Sequence, residues 1–281
     1  MKFLIKVNLS KNNSRSVTHS VMKLLEEESH EYMLCAEHDI STLGVSCDKV
    51  TALKEGIRWC DVVITIGGDG TLLSIGKMAA DAQKPVIGIN TGRIGFLTAI
   101  EGNEIELLKK LNDSSVFVVQ KHNFIQARIN NKPWKYCLND VVISKCMYSN
   151  TVDLTIHSNN NLLSHFAGDG IIIATSTGST AYSLSVGGPI VDSDLQAMVI
   201  SPVAPHSLNR TSMVLAKNKH IKITADDRNN NKATVAFDGG DYMEISRDDT
   251  VEVKLSSKYV SIFTLGRLGQ FEKVDKKLKS R

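Results

Sequence analysis

Residues 61–73 read DVVITIGGDGTLL, and the reading of this stretch decides the first fold. Val62–Ile66 is an apolar, β-branched run of strand length. Gly67-Gly68-Asp69-Gly70 then breaks it sharply, and Thr71–Ala80 reads as a helix. A buried strand that enters a helix through glycines is the joint of a parallel α/β sheet, where ligands sit beyond the carboxyl ends of the strands. Glycine lets the backbone approach a ligand closely, and N–H groups at the helix start can hold an anion. Asp69 stands at that place. Its carboxylate suits accepting a proton from a hydroxyl nucleophile or holding a metal near phosphates. The competing reading is a tight turn in which Asp69 only caps the helix.

Outward from this stretch, Phe3–Val7, Met33–Ala36 and Pro85–Ile89 are further strands. Arg15–Glu28, Asp48–Trp59 and Glu104–Leu111 read as helices, the first with Val17, Val21, Leu24 and Leu25 on one face. Strands alternating with helices predict a Rossmann-like parallel α/β domain over residues 1–112. The texture changes near Asn112. Val116–Gln120, Phe124–Ile129, Tyr136–Ser144, Val152–His157 and Leu162–Phe166 are short strands. So are Met198–Ser201, His220–Thr224, Ala233–Phe237, Thr250–Leu255 and Val260–Thr264. Asn130–Pro133 and Asn159–Asn161 read as hairpin turns, and Asp226–Asn231 as a polar turn. Residues 113–265 are therefore expected to form a mostly antiparallel β domain with one helical interruption, Ser176–Val186. Residues 266–281 read as a basic tail.

Bulk properties narrow the class. The 281 residues are 42% hydrophobic and 22% charged, as expected of a core-forming chain. A net charge of +3, from 33 basic and 30 acidic residues, is too mild to argue for nucleic acid. Five scattered cysteines without a CxxC point to a reducing compartment. No apolar run approaches membrane-spanning length and the N-terminus lacks a signal-peptide core, so a cytoplasmic protein with no membrane partner is expected.

Two phosphate-binding signatures are absent. Gly76-Lys77 has no Walker context, and neither Gly68-Asp69-Gly70 nor Gly168-Asp169-Gly170 completes a GxGxxG. Three other stretches carry chemistry. Asn90–Leu97 follows the next sheet strand and offers Gly92 and Gly95 as a backbone-lined rim. Gly168–Pro189, GDGIIIATSTGSTAYSLSVGGP, runs a buried strand into a dense set of small hydroxylated residues, with Tyr182 placed to cover a base. An ordinary Ser/Thr-rich cap is the plain alternative. Asn139-Asp140 interrupts an apolar strand with paired donor and acceptor groups that suit a ribose or a base. His206, in SPVAPHSLNR, reads as a structural loop histidine.

Taken together, these residues resemble the NAD kinase family. The resemblance rests on Gly67–Thr71, Asn90–Leu97, Asn139-Asp140, Gly168–Pro189 and Ser201–Arg210 in that order, and it covers Asp61 to Phe237 well. GGDGT alone is shared with lipid kinases and 6-phosphofructokinases; TGSTAYSLS followed by GGP narrows the choice.

The resemblance implies a C-terminal β-sandwich-like domain and a homo-oligomer, dimer or tetramer. It implies transfer of a phosphoryl group from ATP or polyphosphate to the 2′-hydroxyl of the adenosine ribose of NAD, with Mg²⁺ or another divalent metal. By matching positions, Asp69 would be the base or organiser of that hydroxyl and Gly70 would line the same site. Asn139 and Asp140 would contact adenosine, and Asp169 would sit towards the other nucleotide. Thr180, Ala181, Tyr182, Ser183, Leu184 and Ser185 would flank adenine and ribose. No protein metal ligands are assigned; Arg93 and Lys77 are the candidate cations for the donor. The chain departs from the pattern at Ala167, where arginine is common, at Gly240, where glutamine is, and at Thr211, where proline is. A lipid kinase of the same superfamily and a non-catalytic NAD(P)-binding regulator are the competing readings.

Overall fold

A computed structural model of the chain describes all residues except 37–39, 93–94, 147–150, 207–210, 227–232, 267–271, 273 and 276–281. The chain divides into two compact units: residues 1–121 with 260–281, and residues 122–259. The sequence places the first boundary at 112/113 and no return of the chain. Two long strands account for the difference, because the chain passes between units inside them. Phe117–Ile129 (β7) and Thr250–Leu265 (β18) are continuous, although Lys121-His122-Asn123 and Ser256-Ser257-Lys258 read as polar breaks. The expected tail 266–281 lies mostly outside the described residues.

The first unit is built on a parallel sheet. Its strands are β1 (Lys2–Val7), β2 (Glu31–Cys35), β3 (Val50–Thr51), β4 (Val62–Gly67), β5 (Val86–Asn90) and β6 (Ile100–Glu101). The order is β5-β4-β1-β2-β3, with Val260–Leu265 of β18 and the short β6 on β5. Every residue of β4 is buried, which is why Val62–Ile66 reads as an unbroken apolar run rather than an alternation. Helix α1 (Ser14–Glu27) lays Val17, Val21, Leu24 and Leu25 on Phe3, Ile5, Ile64 and Ile87. Asp48–Trp59 is not one helix. Val50 and Thr51 pair with Leu34 and Cys35 as an edge strand, and only Leu53–Trp59 (α2) is α-helical. Their β-branching favours the strand. Glu104–Leu111 forms a 3₁₀ helix over Ile105–Lys110.

The second unit is a sandwich of antiparallel sheets. The strands β8 (Lys135–Cys137), β9 (Asp140–Lys145), β10 (Val152–Ser158), β11 (Asn161–Gly168) and β12 (Gly170–Thr175) follow β7. Then come β13 (Ala197–Val203), β14 (Met213–Ala216), β15 (His220–Asp226), β16 (Ala233–Phe237) and β17 (Tyr242–Ile245). One sheet runs β14-β13-β12-β9-β16-β17; the other contains β11-β10-β15-β18. Ile143, Ile171, Ile173 and Val235 of the first meet Leu154, Ile156, Ile223 and Val251 of the second in one core. Asn130 turns β7 into β8 at φ 53°, and Asn159 and Asn160 turn β10 into β11 at 47° and 68°, as the hairpin reading requires. The polar turn Asp226–Asn231 lies almost wholly outside the described residues.

Candidate active site

In the first unit the strand order reverses between β1 and β4: β1 connects outward to β2, and β4 connects the other way to β5. Such a reversal opens a crevice beyond the carboxyl ends of the two strands. Gly67 closes β4 there. A Cβ on it would overlap Thr71 Oγ1 and approach Asn8 Cβ to 3.2 Å, so only glycine fits. The chain then enters α3 (Asp69–Asp81), with Asp69 in its first turn.

Asp69 does not cap its own helix by a side-chain hydrogen bond. Its carboxylate instead holds the loop after β5. Oδ2 accepts the Phe96 N–H at 2.8 Å, and Oδ1 accepts those of Leu97 at 3.0 Å and Thr98 at 3.3 Å. A Cβ on Gly95 would collide with Asp69 Oδ1 and Thr98 Oγ1, which explains the glycine. A carboxylate offers about four lone-pair positions. Among the described residues three are spent on the loop, and the fourth, on Oδ2, has no partner. Gly70 meets nothing within 4 Å of where a Cβ would sit, so the helix start beside Asp69 is uncrowded. Lys77 lies two turns along α3 and pairs with Asp81 at 3.5 Å. Arg93 lies outside the described residues. Lys11 of the β1–α1 loop reaches within 4.0 Å of the Cβ position of Gly92.

In the second unit, the run Tyr136–Ser144 is two strands, not one. β8 and β9 belong to different sheets, and Leu138-Asn139 is the crossing. The sharp bend gives these residues backbone groups with no ladder, and two side chains take them. Thr175 Oγ1 donates to the Leu138 carbonyl at 2.6 Å, and the Thr175 N–H to the Asn139 carbonyl at 2.8 Å. Asp238, just past β16, accepts the N–H groups of Leu138, Asn139 and Asp140 at 2.7, 2.7 and 3.0 Å. Asp140 is 5% exposed. Burial, with the Asp238 charge beside it, pushes its carboxyl up to about 7. Burial also raises Asp238, against the three N–H groups that lower it.

The stretch after β12 is not a single helix over Ser176–Val186. Thr177–Thr180 is a 3₁₀ turn and Tyr182–Ser185 (α4) a single α-turn, broken at Ala181 with φ −91° and ψ −127°. Packing explains the break. Ser179 Oγ donates to the Ser176 carbonyl at 2.6 Å and accepts the Val191 N–H at 3.0 Å, folding the segment back over β12. A Cβ on Gly178 would overlap the Asn139 carbonyl, so this turn lies directly on the Asn139 bend. Tyr182 is 46% exposed and Thr180 is buried. Ser183 points inward and shares a 2.8 Å hydrogen bond with Ser201 Oγ. Its hydroxyl is engaged within the fold. Leu184 is half-buried and Ser185 exposed.

Asp169 stands apart. Asp140 opposes Ala174 at one end of the β9–β12 ladder, and Gly170 opposes Ser144 at the other. Asp169 is five residues from Ala174, roughly 17 Å at the usual strand rise, and pairs with Lys145 Nζ at 2.6 Å. His206 lies at that far end, its N–H donating to the Ala167 carbonyl at 2.8 Å. Asn139, Asp140 and the Thr177–Ser185 turn thus gather at one end of the ladder, and Asp169 does not join them.

The model of the ATP-NAD kinase N-terminal domain matches residues 3–116, and that of the ATP-NAD kinase C-terminal domain matches residues 138–265. An NAD kinase from Caldicellulosiruptor saccharolyticus is 33% identical over 273 residues, spanning 97% of each chain. The chain belongs to the NAD kinase family. Two solved structures share the fold at 21% identity. An NAD kinase from Archaeoglobus fulgidus in complex with ATP has a TM-score of 0.78 over 100% of both chains. Yeast NADH kinase complexed with NADH has 0.87 over 99% of this chain and 87% of its own. Within this NAD kinase fold, the residue that sequence reasoning undervalued is Asp238. Its signal was an Asp-Gly-Gly directly after an alternating strand, a turn whose first two residues take φ 49° and 66°.

Proposed function

We propose that the chain transfers the γ-phosphoryl group of ATP to the 2′-hydroxyl of the adenosine ribose of NAD, giving NADP and ADP. The bond from O2′ to the γ-phosphorus forms, the bond from that phosphorus to the β-bridging oxygen breaks, and the hydroxyl proton leaves towards Asp69. The observation that carries this reading is the open lone pair of Asp69 Oδ2, at the start of α3 beyond the switch point of a parallel sheet. Phosphoryl transfer asks the protein mainly for positioning and charge stabilisation. A carboxylate pinned by three N–H groups is already positioned, and its remaining lone pair is what a hydroxyl would meet.

Among the described residues no group of three or more His, Cys, Asp or Glu is gathered to hold a metal. Mg²⁺ commonly takes one or two carboxylates and leaves the rest of its shell to phosphates and water. Phosphates and water would hold it, and Asp69 Oδ2 would join them only in place of the ribose hydroxyl. Bound with ATP, the ion would neutralise charge on the β- and γ-phosphate oxygens.

We assign adenosine to Asn139 and Asp140, with the turn Thr180–Ser185 beside it: Tyr182 as the exposed ring, and Ala181, Leu184 and the backbone at Ser183 as its support. Gly70 lines the Asp69 end. Asp169, at the far end of the β9–β12 ladder, is assigned to the other nucleotide. Polyphosphate as a second donor, assembly as a dimer or tetramer, and a cytoplasmic setting belong to the same reading. Cys35, Cys60, Cys137 and Cys146 are free thiols, as a reducing compartment requires.

Phosphorus NMR of the product tests the regiochemistry. A 2′-phosphomonoester formed from NAD with ATP supports the reading; a 3′-ester or no transfer overturns it. Repeating the reaction with polyphosphate decides the second donor.

A further inference from the structure

The bend that presents Asn139 and Asp140 owes its backbone geometry to a side chain about a hundred residues downstream. All three of its N–H groups end on Asp238, two on Oδ1 and one on Oδ2. The Asp238 N–H in turn donates to the Asp140 carbonyl at 3.0 Å, closing a ring between the two residues. With Thr175 on the carbonyls of Leu138 and Asn139, the backbone donors and acceptors of residues 138–140 are all spent. No hydrogen bond from the described residues reaches the Asn139 or Asp140 side chain, so both remain for a ligand. Asp238 achieves this from a left-handed conformation, φ 49°, followed by Gly239 at 66°. Aspartate tolerates that conformation better than most residues, and it aims the carboxylate back at the bend.

We propose that Asp238 is a positioning residue for the nucleotide: acting through the three backbone N–H groups and never touching the ligand, it fixes the direction in which Asn139 and Asp140 face NAD. The proposal rests on the assignment of Asn139 and Asp140 to adenosine. A group needed only for folding would hold the bend and do nothing more. Asp238 also places a charge beside Asp140. The strands next to Asp140 are β12, which contributes Ala174 and no ionisable group at this position, and β16, which Asp238 directly follows. Lys135, Tyr136 and Cys137 of β8 are the other ionisable groups on the bend; burial chiefly raises the Cys137 thiol, the Asp238 and Asp140 charges raise it further, and Lys135 lowers it. The Asp238 charge opposes ionisation of Asp140, while Lys135 is engaged with Asp241 at 3.0 Å. NAD binding should therefore change with pH as the Asp140 carboxyl titrates, and Asp238 should set where.

The test is NAD binding by titration calorimetry from about pH 5 to pH 9, for wild type and Asp238→Asn, with kcat and the KM for ATP at saturating NAD. Asp238→Asn keeps the shape but turns an amide NH₂ towards N–H donors. Expected are a loss of NAD affinity of about tenfold or more, as for a broken charge-assisted bond, and little change in KM for ATP or in kcat. The midpoint of the pH dependence should move to lower pH. Affinity within about twofold of wild type (~0.4 kcal/mol) with an unmoved midpoint overturns the proposal while leaving the function intact. Failure of wild type itself to bind NAD overturns the assignment beneath it. Should Asp238→Asn not fold, Asp140→Asn carries the test. It leaves Asp238 and the bend in place, and its NAD binding should lose the midpoint; a persisting midpoint counts against the proposal.

Discussion

The Asp69 carboxylate and the Leu97 backbone N–H meet at 3.0 Å, so the acidic group at the mouth of the parallel sheet also ties down the loop after the next strand. In the proposed function this side chain has two roles, holding a loop and facing a hydroxyl, and its variants should separate them.

Asp69→Asn keeps an acceptor oxygen but loses the charge. Turnover should fall by roughly 10²–10⁴, the range of a lost general base, with NAD affinity nearly unchanged. Asp69→Ala also strands three N–H groups and should cost roughly 1–3 kcal/mol of stability. Steady-state kinetics with denaturant unfolding checks both; an active Asp69→Asn removes Asp69 from the chemistry.

Gly178→Ala should disturb the bend at Asn139, because the new methyl group would sit on the Asn139 carbonyl. Overpacking against backbone costs about 1–3 kcal/mol, and KM for NAD should rise with it. Gly240→Ala is the control. Its Cβ would meet only the Phe237 carbonyl at 3.5 Å, an ordinary contact, and both stability and KM should stay near wild type.

Ser183→Ala should weaken the fold and spare the nucleotide. Its hydroxyl is fully buried against Ser201, so removing it leaves one polar group without a partner, at roughly 1–3 kcal/mol. The double variant Ser183→Ala/Ser201→Ala should cost less than the sum of the singles. A rise in KM for NAD without loss of stability would return Ser183 to the ligand.

Asp140 makes stability depend on pH. Its carboxyl sits at about 7 in the folded chain against an ordinary value of 3.8, with burial the larger cause and Asp238 the lesser. Because the folded form holds the proton more tightly, this contribution is fully present below pH 3.8 and is lost as pH rises to about 7. The loss amounts to a few kcal/mol, roughly 4 at most. Asp140→Asn escapes it, so its Tm advantage over wild type should grow from pH 5 to pH 8. A difference in Tm that does not vary with pH would contradict the assignment.

Much of this was legible in the chain. Val62–Ile66 with GGDG, and Val17, Val21, Leu24 and Leu25 at helical spacing, located β4, α3 and α1, because burial there is one-sided or complete and leaves a clear period. Asn130 and Asn159-Asn160 marked real hairpins. The failures have a common cause in long-range contacts. Val50-Thr51 is a strand because β2 offers an edge, and Tyr136–Ser144 splits because Asp238 captures the backbone at 138–140. Ser176–Val186 breaks because Ser179 bonds to Val191. In the sequence, β7 reads as split at 121–123 and β18 at 256–259, since a strand that leaves one core for another carries polar residues in between. For the candidate site, motif order supplied the residues, whereas the separation of Asp169 from Asp140 required the register of β9 on β12.

The central claim is that this chain makes NADP. The most direct measurement incubates the purified protein with NAD, ATP and Mg²⁺ and follows NADP with an NADP-specific dehydrogenase, alongside Asp69→Asn. The account predicts ATP-dependent NADP formation by wild type that the variant largely loses. NAD binding without any NADP formed, or equal rates for the two proteins, would contradict it.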